Sequence, residues 1–253
     1  MDVNDTLRSQ LRTLRLSGVL QTLNARHRQA VDGHWSYQDF LTRLLEDEVE
    51  RRAQKQLQMR LRRGQINTTK TLDGFSFTFN PALNRQKVLA LSACDFIRER
   101  RNVLVCGPSG VGKTHLAQAI GQEACRQGYD VLFANTHKML LHLNAGRADN
   151  TFERRLANYL RPDLLILDDF GLRALSPPGP EDLYDIISER YEKASILLTS
   201  NRAPEEWPSL FGDPLLASAG LDRLNHRAEL LIVRGESYRA QGVQAEKPAA
   251  PEP

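Results

Sequence analysis

Gly107-Pro108-Ser109-Gly110-Val111-Gly112-Lys113-Thr114 fits G-x-x-x-x-G-K-[ST] at every fixed position. Before it, Asn102-Val103-Leu104-Val105-Cys106 is short, apolar and β-branched, which predicts a buried strand. After it, Leu116, Ala117, Ala119, Ile120 and Ala124 recur at helical spacing up to Gly128, a helix stop. Strand, glycine turn and helix are the context a phosphate loop needs. The glycines let backbone N–H groups approach phosphate oxygens without a Cβ clash. The helix start adds unpaired N–H groups and the positive end of a dipole. Lys113 supplies a point charge for the β- and γ-phosphates, and the Thr114 hydroxyl suits Mg²⁺. His115 is grouped with these cofactor-binding residues.

Further along, Leu164-Leu165-Ile166-Leu167-Asp168-Asp169 is an apolar run closed by two acids. Such runs are parallel strands buried on both faces, and ligands bind at their carboxyl ends. One acid is expected to hold Mg²⁺ and its neighbour to orient the attacking water. Two buried carboxylates without a metal would be costly. Ser195-Ile196-Leu197-Leu198-Thr199-Ser200-Asn201 predicts another buried strand, and Asn201 at its end is placed to position water. An ordinary strand-to-loop cap is the alternative there.

Between these elements, Val131 to Ala134 predicts a strand. Residues 136–160 predict two helices split at Asn144-Ala145-Gly146, carrying Lys138, Arg147, Arg154 and Arg155. Glu181–Lys193 and Leu215–Asn225 predict helices, and Leu230–Val233 a last strand. Leu83–Arg101 predicts one helix ahead of the first core strand. Phe75, Phe77 and Phe79 alternate with polar residues, as in an edge strand or a clip packed on the next domain.

The first 66 residues predict a helical module: one helix over 6–31, and a second that follows Ser36-Tyr37-Gln38-Asp39, a capping box with Asp for Glu. Phe40, Leu41, Leu44, Leu45 and Val49 form its apolar face, and Gly64 its stop. This segment holds twelve Lys and Arg against eight acids, +4 on a chain of net +3. Arg8, Arg12, Arg15, Arg51, Arg52 and Lys55 are therefore candidates for a DNA phosphate-binding surface. A solvated helix face is the other reading. Residues 67–82 read as a connector, 83–240 as the catalytic domain, and 241–253 as a disordered tail. Cys94, Cys106 and Cys125 form no C-x-x-C pair, and with no signal peptide or membrane span expected the chain reads as cytoplasmic.

The order of a basic helical module, the phosphate loop, Leu165-Ile166-Leu167-Asp168-Asp169-Phe170-Gly171, Leu197-Leu198-Thr199-Ser200-Asn201-Arg202, Leu221-Asp222-Arg223-Leu224 and Arg234-Gly235-Glu236-Ser237-Tyr238-Arg239 resembles the IstB family. The likeness extends over 1–240 and includes Leu72-Asp73-Gly74-Phe75 and Pro81-Ala82-Leu83-Asn84. These are helper ATPases of two-gene insertion sequences, AAA+ proteins of the initiator and helicase-loader branch close to DnaC. The resemblance implies an AAA+ α/β domain with a five-stranded parallel sheet. It implies ATP and Mg²⁺, with Asp168 organising the metal and Asp169 standing where other AAA+ proteins carry Glu. It implies Asn201 as first sensor, Arg223 as a finger reaching a neighbour's γ-phosphate, and Arg239 as second sensor. No helical lid is expected after Arg239. The helices over 136–160 take the place of an insertion lining a DNA path. The implied partners are duplex DNA, an IstA-like transposase and further copies of the chain in a helical or ring assembly. A DnaC-like helicase loader is the alternative reading. A small-molecule P-loop kinase is a further one, but it would need an acceptor pocket and an arginine-rich lid.

Overall fold

The computed structural model describes residues 5–80 and 83–238, so Arg239 and the tail lie outside the described residues, as do Pro81 and Ala82. The chain forms two compact units, Met1–Met59 and Arg60–Pro253. The expected domain boundary at 66 thus moves into a helix. The cause is local: Leu61 and Ile66 are buried, and the Gly64 carbonyl accepts from Phe133 N at 2.8 Å.

The first unit is built from α1 (Asp5–Thr13), α2 (Ser17–Asp32) and the greater part of α3 (Tyr37–Arg63). Leu11, Val19, Leu23 and Leu44 form its core, with Leu16, Leu20 and Phe40 packed around them. At roughly 1.5–3 kcal/mol per buried side chain this is a small core. The helix expected over 6–31 is instead two helices. Arg15 adopts φ 56°, Leu16 N bonds Leu11 O at 2.9 Å, and Arg15 N bonds Arg12 O at 3.0 Å. That is a Schellman ending with arginine where glycine is usual, so no glycine advertises it. Ser36 caps α3, accepting from Asp39 N at 3.1 Å. The Asp39 carboxylate meets the Ser36 hydroxyl at 2.7 Å, where a longer Glu would reach the backbone.

Two acids of α3 hold α2. Glu48, 4% exposed, accepts from Gly18 N and Val19 N at the start of α2. Asp47 takes both arms of Arg26, at 2.6 and 2.9 Å. That guanidinium draws the Asp47 carboxyl down to about 2 from an ordinary 3.8. A depressed folded value contributes stability above pH 3.8 that is lost as pH falls toward 2. Asp47→Asn is therefore expected to lower the unit's stability at neutral pH and to flatten its loss between pH 4 and 2. Helicity of this unit followed against urea at several pH values checks it; an unchanged acid limb would remove the ion pair from the account.

The second unit continues with α4 (Arg85–Ser92), α5 (Asp95–Arg98), β1 (Val103–Cys106), α6 (Lys113–Arg126), β2 (Val131–Asn135), α7 (Thr136–Ala148) and α8 (Phe152–Leu160). Then come β3 (Leu164–Phe170), α9 (Gly179–Arg190), β4 (Ser195–Ser200), a 3₁₀ turn at Pro204–Glu206, α10 (Pro208–Phe211), α11 (Pro214–Asn225) and β5 (Glu229–Ile232). The sheet order is β2-β3-β4-β1-β5, all parallel. β1 and β4 are buried throughout and β3 nearly so, as their apolar runs require. This bears out the expected five-stranded sheet.

Three local expectations shift. The single helix over 83–101 is broken at Cys94, which has φ 60°. The split at Gly146 moves to Asp149–Thr151, with Asn150 at φ 54° and Thr151 N bonded to Gly146 O at 2.8 Å. Gly146 is instead a packing residue, because a Cβ there would come within 3.0 Å of the Phe152 Cα. The strand suggested by Phe75, Phe77 and Phe79 does not form; this segment is the packed clip. Phe75 stacks edge-on against Phe77 at 5.0 Å and His115 at 5.4 Å. Arg190, 1% exposed, donates to the carbonyls of Tyr159, Leu160, Pro162 and Ser195, and so ties α8, β3 and β4 together.

Candidate nucleotide site

The phosphate loop turns at the carboxyl end of β1. Gly107 has φ 155°, and a Cβ there would lie 2.0 Å from Val233 O. Gly112 has φ 96° and would meet the Phe75 ring at 2.7 Å. No other residue fits either position. Pro108 and Ser109 are exposed at the loop's tip, Gly110 is half-buried, and Val111 is 3% exposed and anchors it. Lys113 is buried and folds back on its loop, donating to Pro108 O at 2.7 Å. The His115 ring Nε2 meets Thr71 O at 2.8 Å and fastens the clip to α6.

Thr114 opens α6 opposite the end of β3. Its hydroxyl lies 3.0 and 3.1 Å from the two oxygens of Asp168. The Thr199 hydroxyl on β4 donates to Asp168 Oδ1 at 2.5 Å. Burial pushes the Asp168 carboxyl up, and neighbouring Asp169 pushes it further; the Thr199 and Thr114 hydroxyls and Lys113 pull against them. A cation would relieve that strain. A hydroxyl and a carboxylate converging on one point are hard oxygen donors suited to Mg²⁺, which takes few protein ligands beside phosphates and water.

Asp169 is set apart from Asp168 by a kink. The β3–β4 register shifts between Leu167 and Phe170, and Asp169 takes φ 57°. A bulge of this kind re-aims a side chain beside an active site. Two contacts fix the result. Asp169 N donates to the Thr199 hydroxyl at 3.1 Å, and Asn135 Nδ2 donates to Asp169 Oδ2 at 3.1 Å. Asn135 ends β2 and also caps α7, accepting from Lys138 N at 3.2 Å. Thr199 and Asn135 were missed in the sequence. Thr199 is one apolar-looking strand position among six, and Asn135 signals only a helix cap.

Asn201 follows β4, where Ser200 O accepts from Gly107 N at 3.1 Å, so it sits against the start of the phosphate loop. Arg202 Nε to Gly171 O at 2.7 Å and Ser200 Oγ to Phe170 O at 2.8 Å lock this corner. Arg223 lies elsewhere. Its helix α11 meets the opposite end of β1, where Asn102 Nδ2 donates to Leu224 O at 2.9 Å.

The IstB-like ATP binding protein family matches residues 9–245. The chain belongs to that family. A putative ATP-binding protein in an insertion sequence of Mycobacterium tuberculosis is 42% identical, covering 92% of this chain and 93% of its own. The insertion sequence IS21 putative ATP-binding protein of Pseudomonas aeruginosa is 37% identical over 93% of this chain and 88% of its own. Among solved structures, AMPPCP-bound DnaA from Aquifex aeolicus aligns at TM-score 0.57 and 23% identity, covering 72% of this chain and 55% of that one. DnaI aligns at TM-score 0.55 and 22% identity, covering 64% and 90%. These likenesses carry the fold of the second unit, and the family carries ATP binding.

The candidate DNA-contacting residues divide. Arg12, Arg15, Arg51, Lys55, Lys138 and Arg154 are exposed, and Arg8 half-buried. Three others are engaged by contacts within the fold. Arg147 pairs through both arms with buried Asp182 and stacks over Phe152 at 4.1 Å. Arg155 is held by Thr151, His142 O and Asp149. Arg52 pairs with buried Glu48 at 2.7 Å. No helix among the described residues is long and apolar enough to cross a membrane.

Proposed function

We propose that this protein is an ATP-hydrolysing helper of DNA transposition. It oligomerises on duplex DNA and presents target DNA to a partner transposase. The observation that carries the ATPase part is the convergence of Thr114, Asp168 and Thr199 beside a separately aimed Asp169. Lys113 and the loop N–H groups bind the β- and γ-phosphates. Thr114 and Asp168 would hold Mg²⁺, which neutralises charge on the phosphate oxygens when bound. Asp169 accepts a hydrogen bond from a water and aims it at the γ-phosphorus. The new P–O bond forms in line as the bond to the ADP oxygen breaks, and the water's proton passes to the Asp169 carboxylate. Asn135 keeps the Asp169 carboxylate in that orientation, and Asn201 steadies the water from the β4 side.

DNA binding is supported by the +4 excess in residues 1–66 and by the exposed arginines and lysines on both units. Phosphate contacts are sequence-tolerant and salt-dependent. With six or so phosphates neutralised, affinity for a duplex is expected to fall by roughly 10³-fold between 50 and 200 mM salt. Replacing Arg12, Lys55, Lys138 and Arg154 together by Gln should weaken binding and flatten that slope, whereas Arg147→Gln should destabilise the fold. Fluorescence anisotropy across a salt series measures the slope, and the ATPase rate with and without duplex measures the coupling. Salt-independent binding by the parent would overturn the phosphate-contact account. A rate indifferent to duplex would leave an ATPase whose partner is a protein, as in the loader reading.

A further inference from the structure

We infer that Asn80 reads the base edge of the bound nucleotide and selects adenine. The inference rests on the ATP-site reading above and adds the residue that recognises the base.

Asn80 is 2% exposed, and neither its Nδ2 nor its Oδ1 has a hydrogen-bond partner among the described residues. It is the one buried amide there with both atoms unmatched. Each unpaired buried polar group is costly, so native structures satisfy nearly all of them. An amide orphaned at both atoms beside a ligand site points to bonds made by the ligand.

Its surroundings place it at the nucleoside end of the phosphate loop. Phe79, the preceding residue, meets Tyr238 edge-on with ring centroids 5.1 Å apart. Tyr238 N donates to Gly110 O at 3.1 Å, and a Cβ on Gly110 would strike Ser237. Residues 235–238 therefore run along the outer part of the loop, while Lys113 and Thr114 stand at its inner end. A triphosphate held by its β- and γ-phosphates at the inner end leads its base outward, to the Phe79–Tyr238 pair. Those rings offer the stacking faces a base requires. Gly235 lies over the Asn80 amide; a Cβ there would sit only 3.1–3.3 Å from its atoms.

The amide presents one donor beside one acceptor. Adenine offers the complementary pair, an N6–H donor beside the N7 acceptor. Guanine and hypoxanthine present two acceptors, O6 and N7, on the same edge, so Oδ1 faces a repelling oxygen.

The test compares ATP, inosine triphosphate and inorganic tripolyphosphate as competitors of a fluorescent ATP analogue on the full-length protein. The expected result is ATP binding roughly 5- to 150-fold more tightly than inosine triphosphate. Asn80→Leu should bring that ratio near one. Asn80→Asp keeps the size and removes the donor, and should reduce the ratio if the leucine protein does not fold. Equal affinity of the parent for the two nucleotides overturns the inference and leaves the phosphate site intact. Discrimination that survives both substitutions also overturns it. Failure of ATP and tripolyphosphate alike to compete overturns the underlying site reading as well.

Discussion

An Asp169→Asn protein is expected to bind ATP as the parent does and to hydrolyse it at least ~10²-fold more slowly, the lower end of what a positioned acid–base group contributes. The neighbouring acid cannot substitute. Asp168 is 5% exposed, and Thr199 and Thr114 already use its oxygens. Asp169 is half-buried, and its backbone N and one carboxylate oxygen are pinned by Thr199 and Asn135. An oxygen remains to accept from water. Asparagine keeps the shape and the bulge but supplies only a weak neutral acceptor. Asn135→Ala should release the carboxylate without touching the phosphates, lowering the single-turnover rate with ATP affinity unchanged. Hydrolysis by Asp169→Asn within twofold of the parent would show that another residue aims the water.

How far this site was legible depends on what each residue announces. The loop's strand–turn–helix geometry was legible in Gly107–Thr114, because its close approaches exclude other residues at Gly107 and Gly112. Asp168 and Asp169 were legible as a pair, since acids closing an apolar run have few other reasons to be there. Which acid takes which role came from the family resemblance, because the bulge between Leu167 and Phe170 that aims them apart leaves the residue pattern unchanged. Thr199 was hidden for a related reason: a β-branched residue in a strand is what packing alone would choose. Helix breaks at Arg15, Cys94 and Asn150 escaped because left-handed residues other than glycine carry little signal. Counting charge located a basic excess, but could not separate free arginines from Arg147 and Arg155. That distinction is made by Asp182 and Asp149, 35 and 6 residues away along the chain.

The largest effect is expected from Arg223→Ala: normal ATP binding, turnover reduced by ~10³-fold or more, and loss of assembly with ATP and DNA. Arg223 is half-buried on α11, donates to Ala219 O at 2.8 Å and lies 5.5 Å from the Tyr184 ring centre. The next residue, Leu224, is bonded to Asn102, just before β1, whereas the phosphate loop begins just after it. Four strand residues at ~3.3 Å each put about 13 Å between those ends. An arginine placed there does not complete its own site. Serving a neighbour's γ-phosphate is a head-to-tail contact, which generates a ring or an open helix. DNA along the axis favours the open form, because each added copy brings phosphate contacts. Leaving Tyr184 costs roughly 0.5–1 kcal/mol. A finger worth ~10³- to 10⁵-fold lowers the barrier by about 4–7 kcal/mol. The Tyr184 contact is thus small beside the finger's contribution in the transition state. Mixing Arg223→Ala with Lys113→Ala should restore part of the hydrolysis, because one protein keeps the nucleotide site and the other keeps the finger. Light scattering and turnover on the same mixtures decide it. Full assembly by Arg223→Ala alone, or a co-assembled mixture that stays inactive, would remove Arg223 from the neighbour's site.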